Sequence, residues 1–392
     1  MKKKIIVGIT GSVAAFKAIQ LISDLYKMNY DLEVIMSEPA THFVTPLSIQ
    51  SLTKKKVYVD VFDGEVERIT HIDIVKDADL FIIVPASANT IAKVAYGLAD
   101  NMLTAAFLAA TCPKLIAPAM NVHMYENPIT QENIQKCKDM GMMFIEPRAG
   151  LLACGDVGKG KLADEDVIIS AIEYSLAPKP LKDKNVLVTA GPTIEAIDPV
   201  RYITNHSSGK MGYAIAKAAY DLGANVTLIS GPTSLKAPLG VNVISIQSAN
   251  DMFEQCVRLF DQQDYVIKAA AVGDYSPKEY VDEKIKKNDD TMNLILKKNN
   301  DILAYLGEHK THQKICGFAM ETQNLIENAT SKLNKKNCDM LVANHLKTAG
   351  AGFKTDTNVV TLLFKDHQKQ LELMSKSDLA YIILDELMKC GG

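Results

Sequence analysis

The chain has 392 residues, which is more than one domain of ordinary size requires, so we expect two domains. Its composition, 47% hydrophobic and 23% charged, is typical of a globular protein, and the net charge of -3 argues against a nucleic-acid-binding or membrane-surface protein. Seven cysteines without a CxxC pair indicate neither a disulfide framework nor a zinc site. Without a signal peptide or a run of about 20 apolar residues, we expect a cytoplasmic protein.

The first half alternates apolar runs with segments of helical spacing. Residues 5–9 predict a buried strand and residues 13–26 predict the helix that follows it. Further strands are predicted at residues 32–36, 80–84, 114–117 and 143–145. Strands that are separated by helices predict a parallel sheet.

A linker is predicted at residues 176–185, which are rich in proline and lysine. The strand pattern then resumes at residues 186–189, 226–230, 243–246, 265–271 and 340–343, and residues 359–364 and 370–374 predict a hairpin or an edge pair. We therefore expect an α/β protein with two domains, residues 1–180 and 181–392, each built on a mainly parallel doubly wound sheet.

Small and hydroxyl-bearing residues follow the predicted strands of the first half. Gly11 and Ser12 follow the first strand, and residues 85–90 (PASANT) and 118–121 (PAMN) follow later ones. Such strand ends bind ligands in open parallel sheets, because free backbone N–H groups face an anion there. A nicotinamide dinucleotide is disfavoured, since the GxGxxG pattern is missing and Ser37 stands where an acidic residue would bind the ribose.

Together with His71 and the glycine-rich residues 150–155 (GLLACG), these motifs resemble those of the flavin-dependent cysteine decarboxylases. The resemblance implies a flavodoxin-like domain that binds FMN and oxidises the substrate thiol, so that the neighbouring carboxylate can leave as carbon dioxide. It implies that His71 assists this step, that Asn121 holds the substrate carboxylate and that Cys154 donates the final proton. The flavin contacts that it implies are Gly11, Ser12, Ser37, Ser87 and Ala88.

The second half contains residues 198–212 (DPVRYITNHSSGKMG), whose Gly-Lys pair is not a P-loop. Thr204 replaces the first glycine and Met211 replaces the required hydroxyl residue of that motif. The other unusual motifs are residues 269–275 (AAAVGDY), 283–287 (EKIKK) and 317–322 (GFAMET).

These motifs resemble those of the bacterial phosphopantothenate–cysteine ligases. The resemblance implies a Rossmann-like domain that uses CTP and Mg²⁺ to activate the pantothenate carboxylate as an acyl-cytidylate, although no carboxylate cluster identifies the metal ligands. It implies that Asn205 binds this intermediate and that Lys284 is needed to form it. The nucleotide contacts that it implies are Lys268, Ala269, Ala270, Asp274, Lys284, Asn300, Asp301, Ile302, Leu303, Phe318, Lys332 and Lys336. Lys268 stands where small residues are common and Asn300 where proline is common.

The two resemblances together imply a bifunctional enzyme of coenzyme A biosynthesis that acts on 4′-phosphopantothenate, L-cysteine and CTP. They also imply a trimeric flavin domain and a dimeric ligase domain, which a dodecamer would satisfy. No nucleic-acid or membrane partner is expected. Two alternatives remain at this point: a tandem nicotinamide-dependent oxidoreductase, which a yellow protein would exclude, and a regulatory flavin-binding protein, which would tend to lack one of His71, Asn121 and Cys154.

Overall fold

The structure is a computed structural model that describes residues 2–62, 69–151, 155–286, 292–320, 325–344 and 355–390. The chain forms two compact units, Met1–Ala177 and Pro178–Gly392, each with its own core. None of the described helices combines the length and the apolar character that crossing a membrane requires.

The first unit contains eight strands and eight α-helices within its described residues. Its strands are β1 (Lys4–Ile9), β2 (Asp31–Met36), β3 (Val57–Tyr58), β4 (Leu80–Ala86), β5 (Lys114–Pro118), β6 (Met143–Phe144), β7 (Arg148–Leu151) and β8 (Val157–Lys161). Its helices are α1 (Ala15–Lys27), α2 (Pro46–Thr53), α3 (Thr70–Asp73), α4 (Ala88–Tyr96), α5 (Met102–Ala109), α6 (Val122–Glu126), α7 (Pro128–Asp139) and α8 (Glu165–Leu176), and a 3-10 helix spans Glu38–His42.

Six of these strands form one parallel sheet in the order β3-β2-β1-β4-β5-β6. Without the two-residue β3, this is the strand order of flavodoxin-like folds, which confirms the predicted fold class. All seven residues of β4 are buried, because helices cover both faces of the sheet. Strands β7 and β8 form a separate antiparallel pair.

The second unit contains fourteen strands and five α-helices within its described residues. Its strands are β9 (Asn185–Ala190), β10 (Ile194–Ala196), β11 (Tyr202–Thr204), β12 (Asn225–Ser230), β13 (Asn242–Ser245), β14 (Tyr265–Lys268), β15 (Tyr275–Pro277), β16 (Leu296–Lys298), β17 (Lys314–Met320), β18 (Met340–Asn344), β19 (Thr357–Asn358), β20 (Val360–Leu363), β21 (Gln368–Gln370) and β22 (Met374–Ser375). Its helices are α9 (Lys210–Asp221), α10 (Ala249–Phe260), α11 (Ile302–His309), α12 (Leu325–Lys335) and α13 (Lys376–Lys389).

The main sheet of the second unit has the order β13-β12-β9-β14-β17-β18-β20-β21. Its first six strands are parallel, in the order of the Rossmann fold, and β20 and β21 add an antiparallel edge. The predicted edge pair is therefore confirmed, although its second strand is Gln368–Gln370. Residues 374–375 pair with β19 instead.

Two strand predictions in this sheet were wrong in detail. Strand β14 ends at Lys268, before the predicted end at residue 271, because Ala271 hydrogen-bonds to the loop after β9. Strand β17 was not predicted, since Gly317 interrupts its apolar run. The glycine makes room for two leucines: a Cβ atom there would lie 2.8 Å from Leu303 Cδ2 and 2.9 Å from Leu341 Cδ1, so both side chains would have to shift.

A buried carboxylate joins α9 to α13 in the second unit. Asp221, which is 1% exposed, accepts hydrogen bonds from Lys217 Nζ and Tyr381 Oη, each at 2.7 Å. A buried carboxylate is stable only when such donors replace the water that it has lost. The Tyr381 hydroxyl therefore helps to fix α13 against α9.

We expect Tyr381→Phe to destabilise the second unit by about 1–3 kcal/mol, because the buried Asp221 carboxylate loses a donor. Calorimetry should show a lower Tm for this unit, and amide hydrogen exchange should rise in α9 and α13 but not in α1. Tyr280→Phe, at a 53% exposed tyrosine, is the control. Equal melting of the two variants would contradict this role of the Tyr381 hydroxyl.

Candidate functional site

The first candidate site lies where β1, β2 and β4 end side by side. Ser37 N donates to Ile9 O at 2.9 Å, which joins the end of β2 to that of β1. Thr10 Oγ1 donates to Pro85 O at 2.7 Å and accepts from Ser87 N at 2.9 Å, which joins β1 to β4. The predicted flavin contacts therefore lie on three neighbouring strand ends.

Backbone segments approach each other closely at this edge. A Cβ atom at Gly11 would lie 2.7 Å from Pro39 Cβ, so a larger residue would require the loop after β2 to move. Ser12 Oγ donates to Ala119 O at 3.4 Å. Ser87 is the N-cap of α4, which begins at Ala88, and its hydroxyl accepts from Thr90 N at 3.3 Å.

A cavity of about 490 Å³ opens beside Ser12 and Asn121. Its described lining is Ser12, Val13, Ala14, Phe16, Lys17, Ala119, Met120, Asn121, Leu151, Gly160, Lys161 and Leu162. Strand β8 lies directly on the loop after β5, since Met120 N donates to Gly160 O at 3.0 Å. A Cβ atom at Gly160 would lie within 2.3 Å of Met120 O, so this position requires glycine.

The side-chain amide of Asn121 is held from both ends. Its Nδ2 donates to Asp156 Oδ2 at 2.7 Å, and its Oδ1 accepts from His123 N at 2.8 Å at the start of α6. Sequence reasoning missed Asp156. Asp156 follows Cys154 by two residues in the same glycine-rich segment, and this proximity could have indicated that it belongs to the site.

Within the residues that the structure describes, His71 is not found among those that line this cavity. His71 lies half-buried in α3. Cys154 lies outside the described residues. Burial raises the pKa of the remaining cysteines, all free thiols, which fits their interpretation as structural residues: Cys112, Cys137, Cys256, Cys316, Cys338 and Cys390.

The second candidate site lies between the ends of β9 and β14. Ala271 N donates to Gly191 O at 2.9 Å, and Ala271 O accepts from Thr193 N at 3.2 Å and from Asn205 Nδ2 at 3.2 Å. Asn205 is thereby placed beside the loop that follows β14. This is the switch point of the Rossmann order, where the loops diverge and a crevice forms.

A cavity of about 440 Å³ occupies this crevice. The structure brings Asn205, Ala269, Ala270, Asp274 and Phe318 together in its lining, as predicted from the sequence. The further described lining residues are His206, Ser207, Ser208, Gly209, Lys210, Met211, Gly212, Ala271, Ala319, Met320, Asn344, Asn358 and Lys376. Sequence reasoning missed the last three, which come from β18, β19 and α13.

Glycines bring the start of α9 onto the end of β9. Gly209 has a φ of +77°, and a Cβ atom at Gly212 would lie 2.5 Å from Ala190 Cβ. The two glycines of the Gly-Lys-Met-Gly sequence are therefore explained by backbone conformation and helix–strand packing. The first turn of α9 lines the cavity, where the backbone N–H groups of a helix N-terminus suit an anion.

Lys332 of α12 lies beside the β17 end of the crevice, and Lys336 directly follows α12. Lys332 Nζ donates to Phe318 O at 3.1 Å, and Lys336 Nζ contacts Asp301 Oδ2 at 2.8 Å. Burial lowers the pKa of Lys268, and the positive charge of Lys332 lowers it further. These cations suit a polyanionic ligand.

The predicted contacts at the start of α11 differ in exposure. Asn300 is exposed, and Asp301 caps the helix by accepting from Ala304 N at 2.9 Å. The side chains of Ile302 and Leu303 are buried in the core. Only the main-chain groups of these two residues are therefore suited to contact a ligand.

Lys284 is exposed, and the main chain beside it is anchored. The buried Asp198 carboxylate accepts hydrogen bonds from Val200 N and Arg201 N, each at 2.8 Å, and from Ile285 N at 3.2 Å. In addition, Arg201 Nη2 donates to Ile285 O at 2.7 Å. Burial alone would raise the pKa of Asp198, but these N–H donors and the Arg201 guanidinium hold it well below its usual range. The Asp198–Arg201 pair thus fixes the residue after Lys284.

Two family models match the chain. Residues 1–177 match the model described as "Flavoprotein", and residues 181–390 match "DNA/pantothenate metabolism flavoprotein C-terminal domain". The two matches together span nearly the whole chain.

Full-length relatives carry both halves in the same order. The Coenzyme A biosynthesis bifunctional protein CoaBC of Bacillus subtilis is 49% identical over 98% of this chain and 96% of its own length. The protein of that name from Vibrio vulnificus (strain YJ016) is 42% identical over 100% of this chain and 98% of its own length. A solved structure, the C-terminal domain of a CoaBC protein, is 44% identical and covers 53% of this chain and 96% of its own, with a TM-score of 0.46.

The sequence relatives confirm the predicted family. The chain therefore belongs to the family of bifunctional coenzyme A biosynthesis proteins, which join a flavoprotein phosphopantothenoylcysteine decarboxylase to a phosphopantothenate–cysteine ligase.

Proposed function

We propose that residues 1–180 form an FMN-dependent decarboxylase domain and that residues 181–392 form a CTP-dependent ligase domain. The chain then works in the cytoplasm on two successive steps: it joins L-cysteine to 4′-phosphopantothenate and decarboxylates the product to 4′-phosphopantetheine. One observation carries the proposal. In each unit a cavity lies at the carboxyl ends of parallel strands around the switch point of a doubly wound sheet, where such folds bind ligands, and some of the candidate residues line it.

The residues of the first site fit FMN. The cavity beside Ser12 has the volume of a cofactor site, and Phe16 and Leu162 give it apolar walls that suit a flavin ring. Gly11, Ser12, Ser37, Ser87 and Ala88 would hold the cofactor through backbone and hydroxyl groups. Bound FMN supplies the oxidation of the substrate thiol and the return of those electrons after carbon dioxide has left.

The protein groups of this site bind the substrate and move protons. Asn121, whose amide is oriented by Asp156, binds the substrate carboxylate, so the carboxylate is oriented for departure. His71 assists the oxidation and the decarboxylation. Cys154 donates a proton to the product, which suits a thiol whose ordinary pKa is about 8.5.

A trimeric flavin domain is part of the proposal. His71 is not among the described residues that line the cavity, and in this proposal a neighbouring subunit brings it there. Ile69 and Ile72, on either side of His71, are 60% and 48% exposed, and such apolar surface supports a subunit contact. With a dimeric ligase domain, a dodecamer satisfies both symmetries.

In the ligase domain, Lys284, Lys268, Lys332 and Lys336 neutralise the phosphates of CTP while the carboxylate of 4′-phosphopantothenate attacks the α-phosphorus and pyrophosphate leaves. Asn205 then binds the acyl-cytidylate until the amine of cysteine displaces the nucleotide. Among the described residues, no group of three or more His, Cys, Asp or Glu could hold a metal. Mg²⁺ commonly binds through substrate phosphates and one or two carboxylates, so it fits as a partner of CTP.

Reconstitution of the full-length protein tests this proposal. The protein is mixed with 4′-phosphopantothenate, cysteine, Mg²⁺ and either CTP or ATP, and pyrophosphate and carbon dioxide are followed separately. A yellow protein that releases pyrophosphate with CTP, and then carbon dioxide, is expected. A colourless protein, or one that requires ATP, would contradict the FMN or the CTP assignment respectively.

The two activities should be separable by substitution. We expect Lys284→Gln to abolish pyrophosphate release while decarboxylation of added phosphopantothenoylcysteine continues, because the lost charge serves only the ligase. Cys154→Ser should do the opposite: it should stop product formation, retain the flavin and leave ligation unchanged. Loss of both activities in either variant would indicate misfolding, which hydrogen exchange would detect, and full turnover in either would refute the assigned role.

Asp156 is a positioning residue for Asn121 in this scheme. We expect Asp156→Ala to lower kcat for decarboxylation about tenfold, since the amide loses a charged acceptor that is worth about 1.5–3 kcal/mol. Flavin absorbance should not change. In an Asn121→Ala background the same substitution should have no further effect, and Glu132→Ala, at an exposed position, is the control. A full additional loss in the double variant would show that Asp156 acts independently of Asn121.

Asp198 is a positioning residue for Lys284. In Asp198→Asn an NH₂ group faces either the Ile285 N–H and the Arg201 side chain or the N–H groups of Val200 and Arg201. We therefore expect ligation to slow about tenfold while decarboxylation is unchanged. Because the pKa of Asp198 is lowered, its carboxylate stays ionised above its ordinary pKa of about 3.9. The ratio of wild-type to variant rates should therefore be constant from about pH 6 to about pH 8 and fall only in acid. Asp261→Asn, at an exposed aspartate, is the control, and an equal effect of both variants would exclude a specific role for Asp198.

A further inference from the structure

One wall of the ligase cavity is rich in hydrogen-bond donors. Asn358 Nδ2 donates to Asn344 Oδ1 at 3.0 Å, and Asn358 Oδ1 accepts from Val359 N at 3.0 Å. The amide nitrogens of both asparagines can donate to a ligand, since an NH₂ group has two N–H donors and Asn358 uses one of them on Asn344. Lys210 and Lys376 line the same cavity.

The two lysines are held by one short segment, Thr355 and Asp356. Lys376, the first residue of α13, is 6% exposed, and its Nζ donates to Thr355 O at 2.7 Å. Lys210 Nζ contacts Asp356 Oδ1 at 2.6 Å, and Lys376 N donates to Asp356 O at 2.9 Å. The two ammonium groups therefore belong to one cluster.

Two positive charges, those of Lys210 and Lys376, lie in this cluster. Burial lowers the pKa of Lys376, the charge of Lys210 lowers it further, and Asp356 opposes this only in part. The Asp356 side chain is 88% exposed, so water and salt screen its contribution. Within the described lining of the cavity, Asp274 is the one carboxylate against the two lysines. Ammonium groups in the wall of a cavity suit an anionic ligand.

We propose that Lys376, together with Lys210, binds a phosphoryl group of a ligase substrate. The inference rests on the proposed ligase function, because its substrates CTP and 4′-phosphopantothenate both carry phosphoryl groups. On binding, a phosphoryl oxygen takes the place of the Asp356 carboxylate on Lys210, and Lys376 and the amide nitrogen of Asn344 complete its donors. Neither lysine belongs to the motif positions that resemble cytidine-nucleotide contacts.

Binding to the full-length protein tests the proposal without turnover. The Kd values of CTP with Mg²⁺ and of 4′-phosphopantothenate are measured separately by calorimetry for wild type and Lys376→Gln. We expect the Kd of one of the two ligands to rise about tenfold or more, since a charge-assisted hydrogen bond is lost, and the affected ligand identifies the phosphoryl group. Lys376→Arg should restore most of the affinity. Unchanged Kd values for both ligands would overturn the proposal.

A matched control is available on the same helix. Lys389→Gln removes the same charge from an exposed residue of α13 that pairs with Asp385, so it should leave both Kd values unchanged. An effect as large as that of Lys376→Gln would mean that net charge, and not this cluster, is responsible. If Lys376→Gln fails to fold, Lys376→Arg, Lys389→Gln and the Asp356 variant described next carry the test.

Substitution of Asp356 has an expected effect of opposite sign. Asp356→Asn removes the carboxylate that competes with the ligand for Lys210, so the Kd of the affected ligand should fall about threefold. An unchanged or higher Kd would overturn the proposed exchange on Lys210. Failure of the inference is distinguishable from failure of the proposed function: in the first case wild type still binds and ligates with CTP, whereas in the second it does neither.

Discussion

The whole architecture depends on parallel strands whose following loops diverge. In the second unit β9 pairs with β12 on one side and with β14 on the other, and the chain leaves these strands in different directions. Backbone N–H and C=O groups beyond the strand ends cannot all pair with a next strand, so they are available to a ligand. The first unit repeats this arrangement with β1 between β2 and β4.

Close backbone packing shapes both crevices. The approach of Gly11 to Pro39 in the first unit and of Gly212 to Ala190 in the second leaves no room for a Cβ atom. A side chain at either position would force apart the segments that form the site. The glycine motifs are therefore explained first by packing and only then by ligand contact, which is why the Gly-Lys pair of α9 does not have to act as a P-loop.

The two units solve different chemical problems. The first has a cavity with apolar walls and an amide held by Asp156, as expected where a cofactor supplies the redox chemistry. The second gathers lysines from β14, α9, α12 and α13 around its crevice, as expected where negative charge must be neutralised. Three carboxylates of this unit, those of Asp198, Asp221 and Asp301, accept hydrogen bonds from main-chain or side-chain donors. These hydrogen bonds help to fix the segments that carry the lysines.

The sequence by itself determined the alternation of strands and helices, the α/β class of both halves and the strand-end motifs, because these depend on local periodicity and on neighbouring residues. Only the tertiary structure decided that Gly317 lies within a central strand, where Leu303 and Leu341 fill the space of its missing side chain. Only the tertiary structure likewise joined Asp156 to Asn121, Asp198 to the main chain beside Lys284, and Lys376 to Lys210. The partners in each of these pairs are separated by tens of residues, and the energy of a hydrogen bond or charge contact depends on distances that no local pattern contains.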